Sequence, residues 1–172
     1  MRVREALPDE HDQLGELCVR AYRAVGSVTD SYAARLRDVG GRAQTARVLA
    51  AVDGGAVLLG CVTLILDGGP WRELAAADEG EFRMLAVDPT AQGRGAGAAL
   101  VRACVDEARA AGRARLVLSS ATDMTAAHRL YERLGFARAP ARDWRPAPHV
   151  QLLAYELALA QPPVTSRRRN TR

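Results

Sequence analysis

The stretch "AVDPTAQGRGAGAALVRA", residues 86–103, constrains this chain more than any other. A short apolar strand reaches Asp88-Pro89, glycines fall at 93, 95 and 97, and a helical pattern follows at once. Backbone sheds side chains in this way where something must come close to it. The first N–H groups of a helix have no internal acceptor, and the helix dipole adds about half a positive charge beside them. A strand, a glycine turn and a helix start in succession therefore suit an anion, a phosphate above all. Gly93, Gly95 and Gly97 permit the approach, and the small Ala96, Ala98 and Ala99 keep it clear. A plain tight turn is the alternative.

The surrounding pattern supplies the rest of a domain. "RVREA" alternates as a short strand, and Pro8-Asp9 opens a helix with Leu14, Leu17, Cys18, Ala21 and Tyr22 on one face. A loop and a second helix follow, capped near Thr29 and ended at Gly40-Gly41. Asp53-Gly54-Gly55 joins two apolar runs as a hairpin. A polar loop precedes the strand 82–87, and the glycine turn leads to a helix that Gly112 stops. "RLVLSS" reads as a buried strand, "TAAHRLYERL" as a short helix with Gly135 after its end, and "HVQLLAYELAL" as the last strand. One more short strand fits around 136–139. Hairpin strands come first and a βαβ crossover second. The expected fold is α/β (α+β): a mixed, mostly antiparallel sheet of six to seven strands with helices on both faces.

At 172 residues the chain suits one domain. No apolar run approaches the roughly 18–20 residues that span a membrane, and "MRVREALPDEHD" lacks the apolar core of a signal peptide, so a cytoplasmic protein is expected. Cys18, Cys61 and Cys104 lie far apart with no metal-ligand spacing, and an odd count does not suit a disulfide framework. All 24 basic residues are arginine, and the net charge is +4. Four of the arginines stand in the last six residues; without them, basic and acidic side chains balance. We therefore expect a neutral domain over 1–159 and a disordered basic tail over 160–172, with no nucleic-acid or membrane partner.

Three phosphate ligands compete for the glycine turn. A nucleoside triphosphate site of the P-loop kind needs a lysine, and the chain has none. "GRGAGA" formally matches the dinucleotide fingerprint, but "DPTAQ" separates it from its strand. The acid expected about 20 residues on is replaced by Leu118-Ser119-Ser120. The third reading uses more of the chain. "MLAVDPTAQGRGAGAALV" closely resembles the acetyl-CoA-binding signature of the GCN5-related N-acetyltransferase (GNAT) family, with Gln92, Gly95 and Gly97 at signature positions. "TAAHRLYERLGF" resembles the family's second signature through Ala127, Leu130, Tyr131, Gly135 and Phe136. The resemblance covers residues 1 to about 159.

That resemblance implies a sheet with two parallel strands splayed apart and acetyl-CoA as cosubstrate. The backbone of Leu85, Ala86 and Val87 would pair with the pantetheine arm, and a Leu85 or Ala86 N–H would polarise the thioester oxygen. The amides of Gln92, Gly93, Arg94, Gly95, Ala96, Gly97 and Ala98 would hold the pyrophosphate. Tyr131 would protonate the departing thiolate, and Glu81 would take the amine's proton through water. The acidic run Asp78, Glu79 and Glu81 would attract a cationic acceptor, and Arg142 and Arg145 would receive a carboxylate. His128 and His149 read as surface residues, and no metal site is visible. Many relatives carry Asn before the second-signature helix, where this chain has "ATDMTAA". The implied function is an N-acetyltransferase acting on a primary amine by direct attack in a ternary complex, the acceptor a small amine or amino acid-like molecule. A protein N-terminus or lysine as acceptor, and a non-catalytic acyl-CoA-binding regulatory module, are the alternatives. Many relatives dimerise, so a homodimer is one expected arrangement, although no stretch marks an interface.

Overall fold

The run Leu58–Ile65, "LLGCVTLI", is buried along its whole length, as a strand is when helices cover both faces of its sheet. The computed structural model describes residues 1–26 and 28–159 and places this run third in a mixed sheet. In chain order the elements are β1 (Arg2–Glu5), α1 (His11–Arg23), α2 (Asp30–Arg37), α3 (Val39–Ala43), β2 (Arg47–Val52), β3 (Leu58–Ile65), β4 (Glu79–Val87), α4 (Ala96–Ala110), β5 (Arg115–Ala121), α5 (Thr125–Arg133), β6 (Ala137–Arg138), β7 (Trp144–Ala147) and β8 (Val150–Ala158). The strand order is β1-β2-β3-β4-β5-β8-β6, and β7 also pairs with β8. Among the described residues only β4 and β5 run parallel.

The sheet separates two cores. On one face the apolar stripe of α1, with Leu14, Leu17, Cys18 and Ala21, packs with Leu36 and Val39 against Val48, Ala50, Cys61 and Met84. On the other, Leu100, Val101 and Cys104 of α4 and Tyr131 of α5 meet Leu49, Val62, Phe82 and Leu118. Strand periodicity explains the division, since alternate residues of β2 and β3 serve opposite faces. The expected mixed sheet with helices on both faces is therefore present. No helix among the described residues is long and apolar enough to cross a membrane. The tail expected at 160–172 lies outside the described residues.

Local differences from the sequence reading have physical causes. The sheet has eight strands rather than six or seven; β7 forms within the Arg- and Pro-rich stretch 137–149, where an outer strand tolerates Pro146. Gly40-Gly41 lies inside α3 rather than ending α2. The Asp38 carboxylate caps the Gly41 N–H at 2.8 Å and starts a new helix, and a Cβ on Gly41 would collide with that carboxylate. Strand β4 begins at Glu79, three residues before the expected start. The ends of α4 and α5 follow the expectation: Gly112 and Gly135 both have positive φ, and the Phe136 N–H returns to the Tyr131 carbonyl at 3.0 Å.

Candidate active site

Strands β4 and β5 pair through only three residues each, Glu79–Glu81 against Arg115–Val117. Beyond them β4 stays with β3 and β5 stays with β8, so the parallel pair opens as a wedge. Two backbone features shape the β4 side. Its register with β3 slips between Cys61 and Thr63, opposite Met84, which sits at φ 53. Residue 60 is glycine because a Cβ there would lie 2.4 Å from the Ala86 carbonyl oxygen. From Phe82 to Val87 the strand has β3 on one side and, among the described residues, no strand on the other, which leaves an edge able to bond an extended ligand.

The wide end of the wedge is a cleft of about 500 Å³, a size typical of small-molecule sites. Leu85, Ala86 and Val87 line it from β4, and Gln92, Gly93, Gly95, Ala96, Gly97 and Ala98 from the turn and the start of α4. Gly93 (φ 76) and Gly95 (φ 84) are left-handed, a conformation that strains other residues. The first bond inside α4 runs from the Ala99 N–H to the Gly95 carbonyl, so the N–H groups of residues 96–98 have no acceptor within the helix. Gly97 faces α5, where a Cβ would come within 3.2 Å of Leu130. Asp88 secures the turn: its carboxylate caps the Thr90 N–H at 2.9 Å and pairs with Arg20 at 2.8 Å. The Arg20 bond, followed by the bonds from Thr90, draws its carboxyl down to about 2. Arg94 stands apart, its side chain turned out towards Asp53 at 3.8 Å. An open strand edge at residues 85–87, and amides at 92–98 that include unpaired N–H groups at a helix start beside left-handed glycines, are groups that could hold acetyl-CoA.

At the narrow end a throat of about 40 Å³ is lined by Tyr22, Arg83, Met84, Ser119, Ser120 and Tyr131, among others. Tyr131 is held edge-on to Phe82 at 5.8 Å and beside Tyr155 at 5.7 Å. Burial, then the neighbouring Tyr155 and Cys104, pushes its phenol well above the usual tyrosine range, so it keeps its proton at neutral pH. His128, expected on the surface, is only partly exposed: its Nε2 lies 3.2 Å from the Ser120 hydroxyl and its ring 5.4 Å from that of Tyr155. Burial lowers its pKa.

Glu81 lies one residue before Phe82 of the throat and is completely buried. Its Oε2 accepts the N–H groups of Glu73, Leu74 and Ala75 at 2.9–3.1 Å, which folds the preceding loop over the strand. Its Oε1 is buried without a hydrogen-bond partner, 3.8 Å from Arg83 Nε. The expected acidic surface run is thus largely internal. Glu79 accepts the Ala76 N–H and binds Arg142 at 2.7 Å, while Arg142 also reaches Glu156 and the Leu74 carbonyl. Arg142 is therefore engaged as a brace between strands rather than offered to a carboxylate, and Arg145 donates to Gln151 at 2.7 Å.

Several lining residues carry no sequence signal. Tyr22 reaches the cleft from the end of α1 and Val25 from the turn after it, and Asp123, Met124 and Thr125 line it where many relatives carry Asn. Arg133 adds a cation at the wide end. The second signature pointed to this side of the cleft through Ala127, Leu130 and Tyr131, and the stretch before α5 was marked only by the Asn that many relatives carry there.

Comparison with known proteins agrees with this geometry. A sequence model of the acetyltransferase (GNAT) family matches residues 12–136. A mycothiol acetyltransferase of Gordonia bronchialis is 42% identical over 71 residues, 41% of this chain and 23% of that protein. Another, of Streptosporangium roseum, is 46% identical over 72 residues, 42% of this chain and 20% of that protein. The chain thus spans about a quarter or less of the length of these relatives. Among solved structures, an acetyltransferase from Salmonella typhimurium with its cofactor acetyl-CoA superposes with a TM-score of 0.68 at 24% identity, covering 94% of this chain and 95% of that one. The ribosomal-protein-S18-alanine N-acetyltransferase of Escherichia coli gives 0.70 at 19% identity, covering 95% and 97%. These two likenesses establish the fold.

Proposed function

The chain belongs to the acetyltransferase (GNAT) family, an acetyl-CoA-dependent acyltransferase family, and from that premise we propose that it acetylates a primary amine on a small molecule by direct attack in a ternary complex. The observation that carries this reading is the wedge between β4 and β5, with unpaired amides at its wide end and Tyr131 at its throat. Acetyl-CoA bound there supplies an activated acetyl thioester. The chain's own groups do the rest.

The edge of Leu85–Val87 orients the arm as an added strand, and a Leu85 or Ala86 N–H donates to the thioester oxygen as negative charge develops on it. The amides of Gln92–Ala98 hold the pyrophosphate, with the start of α4 contributing its dipole. Glu81 keeps Oε1 for a water through which the acceptor's ammonium proton is withdrawn, while its other oxygen stays fixed by three amides. Tyr131 gives its retained proton to the departing sulfur. The narrow throat admits an amine on a slender arm, and the partial likeness to mycothiol acetyltransferases supports a small-molecule acceptor over a protein.

Release of the free thiol from acetyl-CoA tests this across amino acids, amino sugars, polyamines and a peptide with a free N-terminus. Turnover with a small amine and none with the peptide is the expected result. Turnover with the peptide alone would favour the protein-acceptor alternative, and bound acetyl-CoA without turnover on any amine would favour the regulatory module.

A further inference from the structure

Behind the cofactor strand two thiols meet in the core. Cys18 comes from the inner face of α1 and Cys61 from the middle of β3, and their sulfurs are 3.3 Å apart, both side chains buried. Arg42 enters the same space from α3 and is itself fully buried. Its Nη2 donates to the Leu36 carbonyl at 3.0 Å and lies 4.0 Å from Cys18 Sγ, and its Nη1 rests on the Met84 sulfur. Among the described residues no carboxylate pairs with Arg42, and its Nε has no acceptor.

A guanidinium does not give up its charge inside a protein, and a buried cation without a counter-charge is strongly disfavoured. Burial pushes the nearby Tyr22 phenol well above its usual range, so it stays neutral. The counter-charge falls to a thiol. A hydrogen bond from Cys61, then the charge of Arg42, brings Cys18 down to about 7 against the effect of burial. Cys61, which gives that hydrogen bond and is buried, moves the other way. Two thiols thus touch beside a fixed cation, and Cys18 is the one that gives up its proton more readily. Cys104 has no such neighbour, and burial, then the charge of Glu107, raises it.

We infer that Cys18 and Cys61 form an oxidation site, in which the Cys18 thiolate held by Arg42 reacts with a hydroperoxide and closes a disulfide onto Cys61. In the first step Cys18 Sγ bonds to one peroxide oxygen as the O–O bond breaks, and the departing hydroxide takes up a proton to leave as water. In the second, Cys61 Sγ displaces the sulfenic oxygen, which leaves as water with the Cys61 proton. The two sulfurs together lose two electrons, and the peroxide gains them. Closure draws the sulfurs from 3.3 Å to about 2.05 Å, and because both are buried the site requires a local opening that admits a peroxide, little larger than water.

The site adjoins the cleft. Cys61 pairs in register with Ala86, and Arg42 rests on Met84, which lines the throat. Oxidation removes Arg42's counter-charge and pulls on the strand behind Ala86, so acetyl-CoA affinity falls. This last consequence rests on the proposed function; the covalent chemistry does not.

The test treats the full chain with hydrogen peroxide, alkylates remaining thiols under denaturing conditions and maps the peptides. We expect a Cys18–Cys61 linked peptide, a mass lower by about 2 Da, reversal by dithiothreitol, and Cys104 still alkylated. In Cys61→Ser, dimedone captures Cys18 as its sulfenic acid. Calorimetry should show acetyl-CoA binding roughly tenfold weaker after oxidation, within the usual range of coupling between sites. Recovery of both cysteines as free thiols, or oxidation of Cys104 in preference, would overturn the site. A link that leaves affinity unchanged would overturn its coupling to the cleft. A reduced protein that forms the link yet binds no acetyl-CoA would overturn the proposed function and leave the oxidation site standing.

Discussion

A phenol that burial keeps protonated suits a departing thiolate, and Tyr131 is placed and packed as such a group. Tyr131→Phe retains the ring contacts and removes the proton. We predict a fall in kcat of about 10²-fold with acetyl-CoA affinity unchanged within about twofold, read by steady-state kinetics and calorimetry; an equal loss of both would mean the hydroxyl serves binding. Glu81 requires a subtler change, because its carboxylate also satisfies three backbone N–H groups. Glu81→Gln keeps one oxygen for them and abolishes the base. Its kcat/KM should fall at least about tenfold while its melting temperature stays close to that of the parent, and full activity would reduce Glu81 to a structural anchor. These two residues also mark how far sequence reaches at this scale. Tyr131 was legible because a spaced signature surrounds it. The burial of Glu79 and Glu81 was not, since their partners are loop amides and an arginine more than sixty positions away, none of which has a local pattern.

Strand β4 and helix α4 are joined by the glycine turn, and their sequence was the most informative in the chain because a turn proposed to bind through backbone leaves its mark in glycines. Gly97 is helical and points at Leu130 of α5, so Gly97→Val closes the cleft without forcing a left-handed residue. Acetyl-CoA binding should weaken at least about tenfold, the scale of a misplaced contact, with helix content by circular dichroism unchanged; retained affinity would place the ligand elsewhere. Asp88 holds the strand–turn junction from below. Its folded carboxyl lies near 2 against an ordinary 3.8, so the unfolded chain binds its proton first as pH falls. The stability it contributes is complete above about pH 4 and is lost as the pH drops towards 2. Asp88→Asn should flatten that part of the stability–pH curve in denaturant titrations, and an unchanged slope would show that the Asp88 carboxylate and its bonds to Arg20 and Thr90 contribute nothing there. The edges of other elements were less legible. Asp38 starts α3 across a glycine pair that reads as a helix end, and β7 forms around a proline because it lies on the outside of the sheet.

Across the whole molecule, order and connectivity follow from hydrophobic periodicity and turn chemistry, and the parting of β4 from β5 follows from neither. It depends on Gly60, on Met84 at positive φ, and on β8 holding β5 while β3 holds β4. Those are pairings between distant segments, which only a family resemblance could foretell. Arg142 shows the same limit: it reads as a free cation in a proline-rich stretch, and in the fold it ties Glu79 of β4 to Glu156 of β8. The wedge these pairings create is the centre of the account, and direct binding tests it. The full chain should be titrated with acetyl-CoA by calorimetry, with NAD and ATP as controls. Binding of acetyl-CoA with a micromolar dissociation constant and none of the controls is the predicted result. Failure to bind acetyl-CoA, or preference for NAD, would contradict it and return the glycine turn to a dinucleotide site or a plain structural bend.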